Sequence, residues 1–151
     1  SKSLSLPGER LGYVLVPKQV TDADAVYAAA AGAGRSQGYV NAPSLFQRVA
    51  AECCDLTADI SVYERNCALL TDALREMGYH VVQPGGAFYL FPRSLEPDDM
   101  AFSERAKKFD LLLVPGSGFG APGHFRIAYC VQTEMIERAL PRFKALADSY
   151  Q

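Results

Sequence analysis

The sequence of this 151-residue chain predicts an α/β fold, with a small α+β unit behind a long connecting helix. Three observations carry that reading. From Ser44 to Met77 the pattern is helical, and Tyr63, Leu70, Leu74 and Met77 recur at spacings of seven, four and three, which line one face. After Gly78 the period changes to two, in GYHVVQPGGAFYLFP and HFRIAYCV, as half-buried strands require. From Thr133 to Tyr150 an amphipathic helical pattern returns, so a small sheet is expected to pack against helices.

Each element has a local reason. The opening SKSLSLPGERLGY is turn chemistry, and LGYVLVP (11–17) reads as a short buried strand. TDADAVYAAAAGAGR is alanine-rich and helical, with Thr21 or Asp22 as cap and Gly32 and Gly34 as its end. Asn41, Pro43 and Ser44 mark the next helix start, and Ser44 with Gln47 resembles a capping box. From that start the pattern gives one helix as far as Met77, or two with a bend near Asp55–Asp59, and Gly78 is the stop. Two strands are expected around the Pro84-Gly85-Gly86 turn, then a helix of mixed charge over Pro97–Phe109. DLLLVPGS reads as a buried strand and HFRIAYCV as an alternating one. No repeat or low-complexity tract interrupts the chain. The opening strand and first helix have too few partners to build a sheet of their own.

Composition narrows the function classes. Fifteen basic and seventeen acidic side chains give a formal charge of −2, which disfavours nucleic acid as the partner. No apolar run reaches the ~20 residues a membrane span needs. Cys53, Cys54, Cys67 and Cys130 lack C-x-x-C spacing or a histidine cluster, so no metal site is expected. They read as reduced, mostly buried thiols of a cytoplasmic protein. PGSGFGA holds the G-x-G-x-x-A spacing of a dinucleotide loop, but Pro122-Gly123 and a strand follow where that loop needs a helix. The same glycines let the backbone turn tightly before the Arg126 strand. No G-x-S-x-G nucleophile elbow is present. His80 and His124, at strand edges, read as structural or exposed.

The opening stretch carries chemistry. A lysine amine can condense with an aldehyde, and an arginine fork suits a phosphate. Lys2 and Arg10 flank a Pro7-Gly8 turn that could bring both to one small ligand. The whole string adds to this. Ser1, Lys2, Ser5, Leu6, Gly8, Arg10, Leu11 and Gly12 resemble the Schiff-base lysine signature of the class I/II aminotransferases, the fold-type I pyridoxal-phosphate enzymes. VNAPSLFQ resembles that family's entry into its interdomain helix, and Tyr63-Glu64-Arg65-Asn66 a stretch inside it. PGGAFYLFP resembles a small-domain strand, and LLLVPGSGFG with HFRIAYCV the segment ending in the substrate-carboxylate arginine.

The resemblance implies a fold-type I organisation. Residues 1–40 would be a remnant of the large cofactor domain, 41–78 the interdomain helix and 79–151 the small C-terminal domain. Lys2 would hold pyridoxal 5'-phosphate and move the substrate α-proton, Arg10 would bind the cofactor phosphate, and Arg126 would grip the substrate carboxylate bidentately. Tyr89 would line the substrate pocket, or stand as a core or rim tyrosine. The reaction implied is amino transfer between an amino acid and a 2-oxo acid, in a parent that works as a homodimer. The phosphate loop, the ring-stacking aromatic and the acid at the pyridine nitrogen cannot be assigned here. The chain is therefore expected to be the C-terminal segment of a longer enzyme, inactive alone, with the N-terminal remainder as its partner. Two alternatives stay open: a carbon–sulfur lyase on the same fold, and a non-catalytic C-terminal interaction domain.

Overall fold

The computed structural model describes residues 2–151; Ser1, the first position of the lysine signature, lies outside them. The chain forms two compact units, one up to Ala58 and one from Asp59 to Gln151.

The first unit holds helices α1 (Ala23–Ser36) and α2 (Ser44–Glu52). None of its described residues is buried. The LGYVLVP strand does not form: Tyr13, Val14 and Leu15 are 93%, 74% and 76% exposed. A strand needs a ladder partner, and no described residue of this unit is in a strand. Helix α1 runs through Gly32 and Gly34 and stops at Gly38, whose φ of +87° suits glycine. There the N–H groups of Gly38 and Tyr39 donate to Arg35 O and Gly34 O, a paired bond that closes the helix end. Neither Asp22 nor Ser44 caps through its side chain, and Gln47 instead donates to the Ala42 carbonyl at 2.8 Å.

The stretch 41–78 contains two helices, α2 and α3 (Ser61–Glu76), the second of the two forms that its pattern allows. Asp59 accepts the Ser61 N–H at 2.9 Å, a local side-chain bond that begins a new helix rather than continuing one. Gly78, at φ +89°, ends α3 by the same double bond: its N–H meets Arg75 O, and the Tyr79 N–H meets Leu74 O.

The second unit continues with β1 (Tyr89–Leu90), α4 (Asp99–Lys107), β2 (Val114–Pro115), β3 (Phe125–Ala128) and α5 (Thr133–Asp148). The sheet is antiparallel in the order β1-β3-β2. Residues 80–83 form no strand, because the Arg75 guanidinium occupies the Val81 carbonyl at 2.9 and 3.2 Å. DLLLVPGS supplies two strand residues only, and Leu112 is 84% exposed. The Asp98 carboxylate caps α4 by accepting the Met100 and Ala101 N–H groups at 3.0 Å.

The core joins Leu70 and Leu74 of α3 to Phe102 of α4, Leu90 and Phe125 of the sheet, and Phe143 and Leu146 of α5. Tyr79 meets Phe125 and Phe143 edge-on, and its hydroxyl donates to Phe143 O at 3.1 Å. Burial pushes that phenol well above its ordinary range. Of the cysteines only Cys67 is buried; Cys53 and Cys130 are half-buried and Cys54 is exposed. No described helix is long and apolar enough to cross a membrane.

Candidate functional site

Arg126 stands on the central strand. It pairs with Val114 of β2, and the register that sets Leu90 against Ile127 also sets Phe91 against Arg126. Side chains alternate across a strand. Phe125 therefore enters the core, while Arg126 shares the other face with Tyr89 and Phe91. The guanidinium carbon lies 4.5 Å from the Tyr89 ring centre and 4.1 Å from that of Phe119. Phe91 meets Phe119 edge-on at 6.0 Å. Arg126 takes part in none of the ion pairs among the described residues. A half-buried guanidinium held by ring faces keeps its edge N–H groups for a planar anion.

Phe119 reaches Arg126 through a tight 3-10 turn, Gly116–Phe119. Gly116 donates to His124 O at 2.8 Å and accepts from Ala121 N–H at 3.0 Å. A Cβ on Gly116 would lie 2.3 Å from Ala121 O, so the turn requires glycine. The buried Asp99 carboxylate accepts the Ser117 N–H at 2.6 Å. That bond holds its pKa below the ordinary carboxylate value. The G-x-G-x-x-A stretch thus forms a short turn that aims an aromatic ring, with a strand after it. Sequence reasoning singles out Arg126 and Tyr89, which the structure brings together, and does not single out Phe119 beside them. The signal available was an aromatic six residues ahead of a strand start, between glycines.

A buried asparagine fixes the far end of β3. The Asn66 amide donates to Tyr129 O at 3.1 Å and Val131 O at 2.8 Å, and its oxygen accepts from Thr133 at 2.8 Å. The Tyr129 hydroxyl bonds Ala87 O at 2.9 Å, next to β1. Burial, with Cys67 close by, pushes that phenol up to about 12.

Lys2 and Arg10 belong to the first unit. The Lys2 carbonyl accepts the Ser5 N–H at 3.3 Å, and a 3-10 turn, Pro7–Glu9, leads into Arg10 at φ 54°. Arg10 Nη1 donates to Pro7 O at 2.8 Å, and both side chains are exposed. A cavity of about 790 Å³ lies against this segment, lined by Leu6, Leu11, Phe46, Val49 and Cys53 among others; neither Lys2 nor Arg10 lines it. By its chemistry, the donor set of one amine and one guanidinium suits an aldehyde and a phosphate. Guanidinium has five N–H donors, so the Pro7 bond leaves others for an anion.

The second unit thus holds an arginine on an α/β scaffold, and the first an amine with a second arginine. Solved proteins share this architecture. An amino transferase from Eubacterium rectale matches 99% of this chain and 38% of its own at 52% identity, with a TM-score of 0.86. The aspartate aminotransferase of Thermotoga maritima matches 85% of this chain and 34% of its own at 25% identity, with a TM-score of 0.70. A curated relative, the aspartate aminotransferase of Geobacillus stearothermophilus, is 31% identical over 95% of this chain. The profile of the family described as aminotransferase class I and II matches residues 1–143. The chain belongs to that family and has the corresponding part of the fold-type I architecture. It spans about 38% of the length of the first curated relatives it matches.

Proposed function

We propose that this chain is the C-terminal part of a pyridoxal-phosphate-dependent aminotransferase acting on an amino acid and a 2-oxo acid. The observation that carries the reading is Arg126: a guanidinium on the central strand of a family member, set against Tyr89 and Phe119 and outside every ion pair among the described residues. Its role is to take the substrate α-carboxylate as a fork, which fixes the α C–H bond in one direction. Tyr89 lines the same surface. Lys2 holds the cofactor through its amine and carries the α-proton as general acid and base. Arg10 neutralises the cofactor phosphate. Pyridoxal phosphate, when bound, supplies the ring that withdraws electrons from the substrate α-carbon.

The division into a large-domain remnant (1–40), a connecting segment (41–78) and a small domain (79–151) belongs to the same proposal. The exposed apolar run Tyr13–Leu15 is surface for the remainder of the enzyme. Homodimeric assembly and a cytoplasmic location belong to the same reading; the four free thiols support the latter.

The test is chemical. The protein is incubated with pyridoxal phosphate, reduced with borohydride and digested, and the modified lysine is located by mass spectrometry. Labelling centred on Lys2, suppressed by Arg10→Ala, is expected. Equal labelling of Lys2, Lys18, Lys107, Lys108 and Lys144 overturns the cofactor roles of Lys2 and Arg10.

A further inference from the structure

His80 and His124 are the two histidines of the chain, and both line one cavity of about 650 Å³ in the second unit. Arg93, Ser94, Glu96 and Pro122 line it with them. Backbone pairing explains the grouping. The Arg93 N–H donates to His80 O at 2.9 Å, and Arg93 stands opposite His124 in an antiparallel bridge. Directly opposed residues place their side chains on the same face, with Cβ atoms ~4.5–5.5 Å apart. Three nitrogen-bearing side chains therefore come from three adjacent segments of backbone.

The charge of Arg93 is not answered from within. The Arg93 side chain makes no ion pair or hydrogen bond among the described residues. Glu96 is the carboxylate of this cavity, and it is engaged by Arg105 at 3.8 Å and by the Tyr150 hydroxyl. The Ser94 hydroxyl is taken by Glu96 O at 2.8 Å. The His124 Nδ1 lies 3.0 Å from Pro122 O, which leaves Nε2 as the ring atom for a ligand. Arg126 does not line this cavity; the register places Arg93 and His124 two residues beyond Phe91 and one residue pair past the edge of β3.

We infer that this cavity binds a small phosphate-bearing ligand, with Arg93 as its principal anchor and His80 and His124 at its flanks. Donors from three segments lining one cavity suit the several oxygens of a tetrahedral anion, whereas a planar carboxylate is satisfied by one fork. The volume leaves room for an organic group beside the phosphate. Arg126 does not line this cavity, and Lys2 and Arg10 belong to the first unit, so the test of this cavity does not depend on the aminotransferase reading.

With two histidines, the ring C–H region of a carbon–proton NMR spectrum contains two sets of peaks, assigned with His80→Gln and His124→Gln. The protein is titrated with inorganic phosphate, and separately with acetate, at fixed pH and ionic strength. Both histidines are expected to shift along one saturating curve, at least about fivefold tighter for phosphate than for acetate. Arg93→Gln should weaken phosphate binding by at least about fivefold. That substitution removes no side-chain bond, and an otherwise unchanged amide spectrum verifies the fold. Linear, unsaturating shifts, an equal response to acetate, or full binding by Arg93→Gln would overturn the proposal.

Discussion

Asn66→Ala tests the joint between α3 and the strand that carries Arg126. Asn66 is fully buried and makes three hydrogen bonds, two to carbonyl oxygens and one from Thr133. Each bond contributes roughly 0.5–1.5 kcal/mol net, and a buried polar group left without a partner costs about 1–3 kcal/mol. Truncation strands the buried Tyr129 carbonyl and the half-buried Val131 carbonyl, so the loss should be roughly 2–4 kcal/mol. That is a large share of the ~5–15 kcal/mol of an ordinary domain. Urea denaturation followed by circular dichroism measures it directly, as a lower midpoint at unchanged slope. Asn66→Asp should be worse than alanine at neutral pH, because it sets a carboxylate against two carbonyl oxygens. A loss under about 0.5 kcal/mol for Asn66→Ala would refute the claim that this network holds the joint.

Gly116→Ala places a Cβ 2.3 Å from Ala121 O and 2.8 Å from His124 O, both backbone atoms that cannot swing aside. A loss above about 2 kcal/mol is expected by the same denaturation assay. Asp99 titrates below its ordinary value in the folded chain, so the unfolded chain binds its proton first as pH falls. Its contribution is complete well above ~3.9 and is lost as pH drops through the folded value. Asp99→Asn should flatten the stability–pH curve in that acidic window and leave the slope above pH ~6 unchanged. Phe119→Leu removes one ring from Arg126, and Phe119 is 49% exposed, so stability should change by less than about 1 kcal/mol. In the complete enzyme it should raise KM for the amino-acid substrate a few-fold, about 0.5–1 kcal/mol of lost cation–π contact, with kcat nearly constant.

Local chemistry made much of the second unit legible. The helical spacing of Leu70 and Leu74, the glycine at position 78 and the alternation in HFRIAYCV each act within a few residues, and each appears in the structure. Errors arose where another group took the bond or the partner was missing. Residues 80–83 alternate like a strand, but Arg75 takes their carbonyl. LGYVLVP has strand composition, yet a strand exists only through a neighbour, and none is among the described residues of its unit. Ser44 and Gln47 have capping-box spacing, and Gln47 found the Ala42 carbonyl instead.

The residues with reactive groups were visible as letters: Lys2, Arg10, Tyr89 and Arg126 stand in motifs whose spacing is a property of the chain. Which side chains surround Arg126 was decided in three dimensions. The sheet register sets Phe91 opposite it, and the Gly116–Phe119 turn brings a second ring to 4.1 Å. The grouping of His80, Arg93 and His124 has the same origin, since these residues are far apart in sequence and adjacent only through backbone pairing. Sequence by itself determined the local propensities and the reactive groups, because both depend on covalent neighbours. Tertiary structure alone decided what each group faces, because pairing and burial join segments that the chain holds apart.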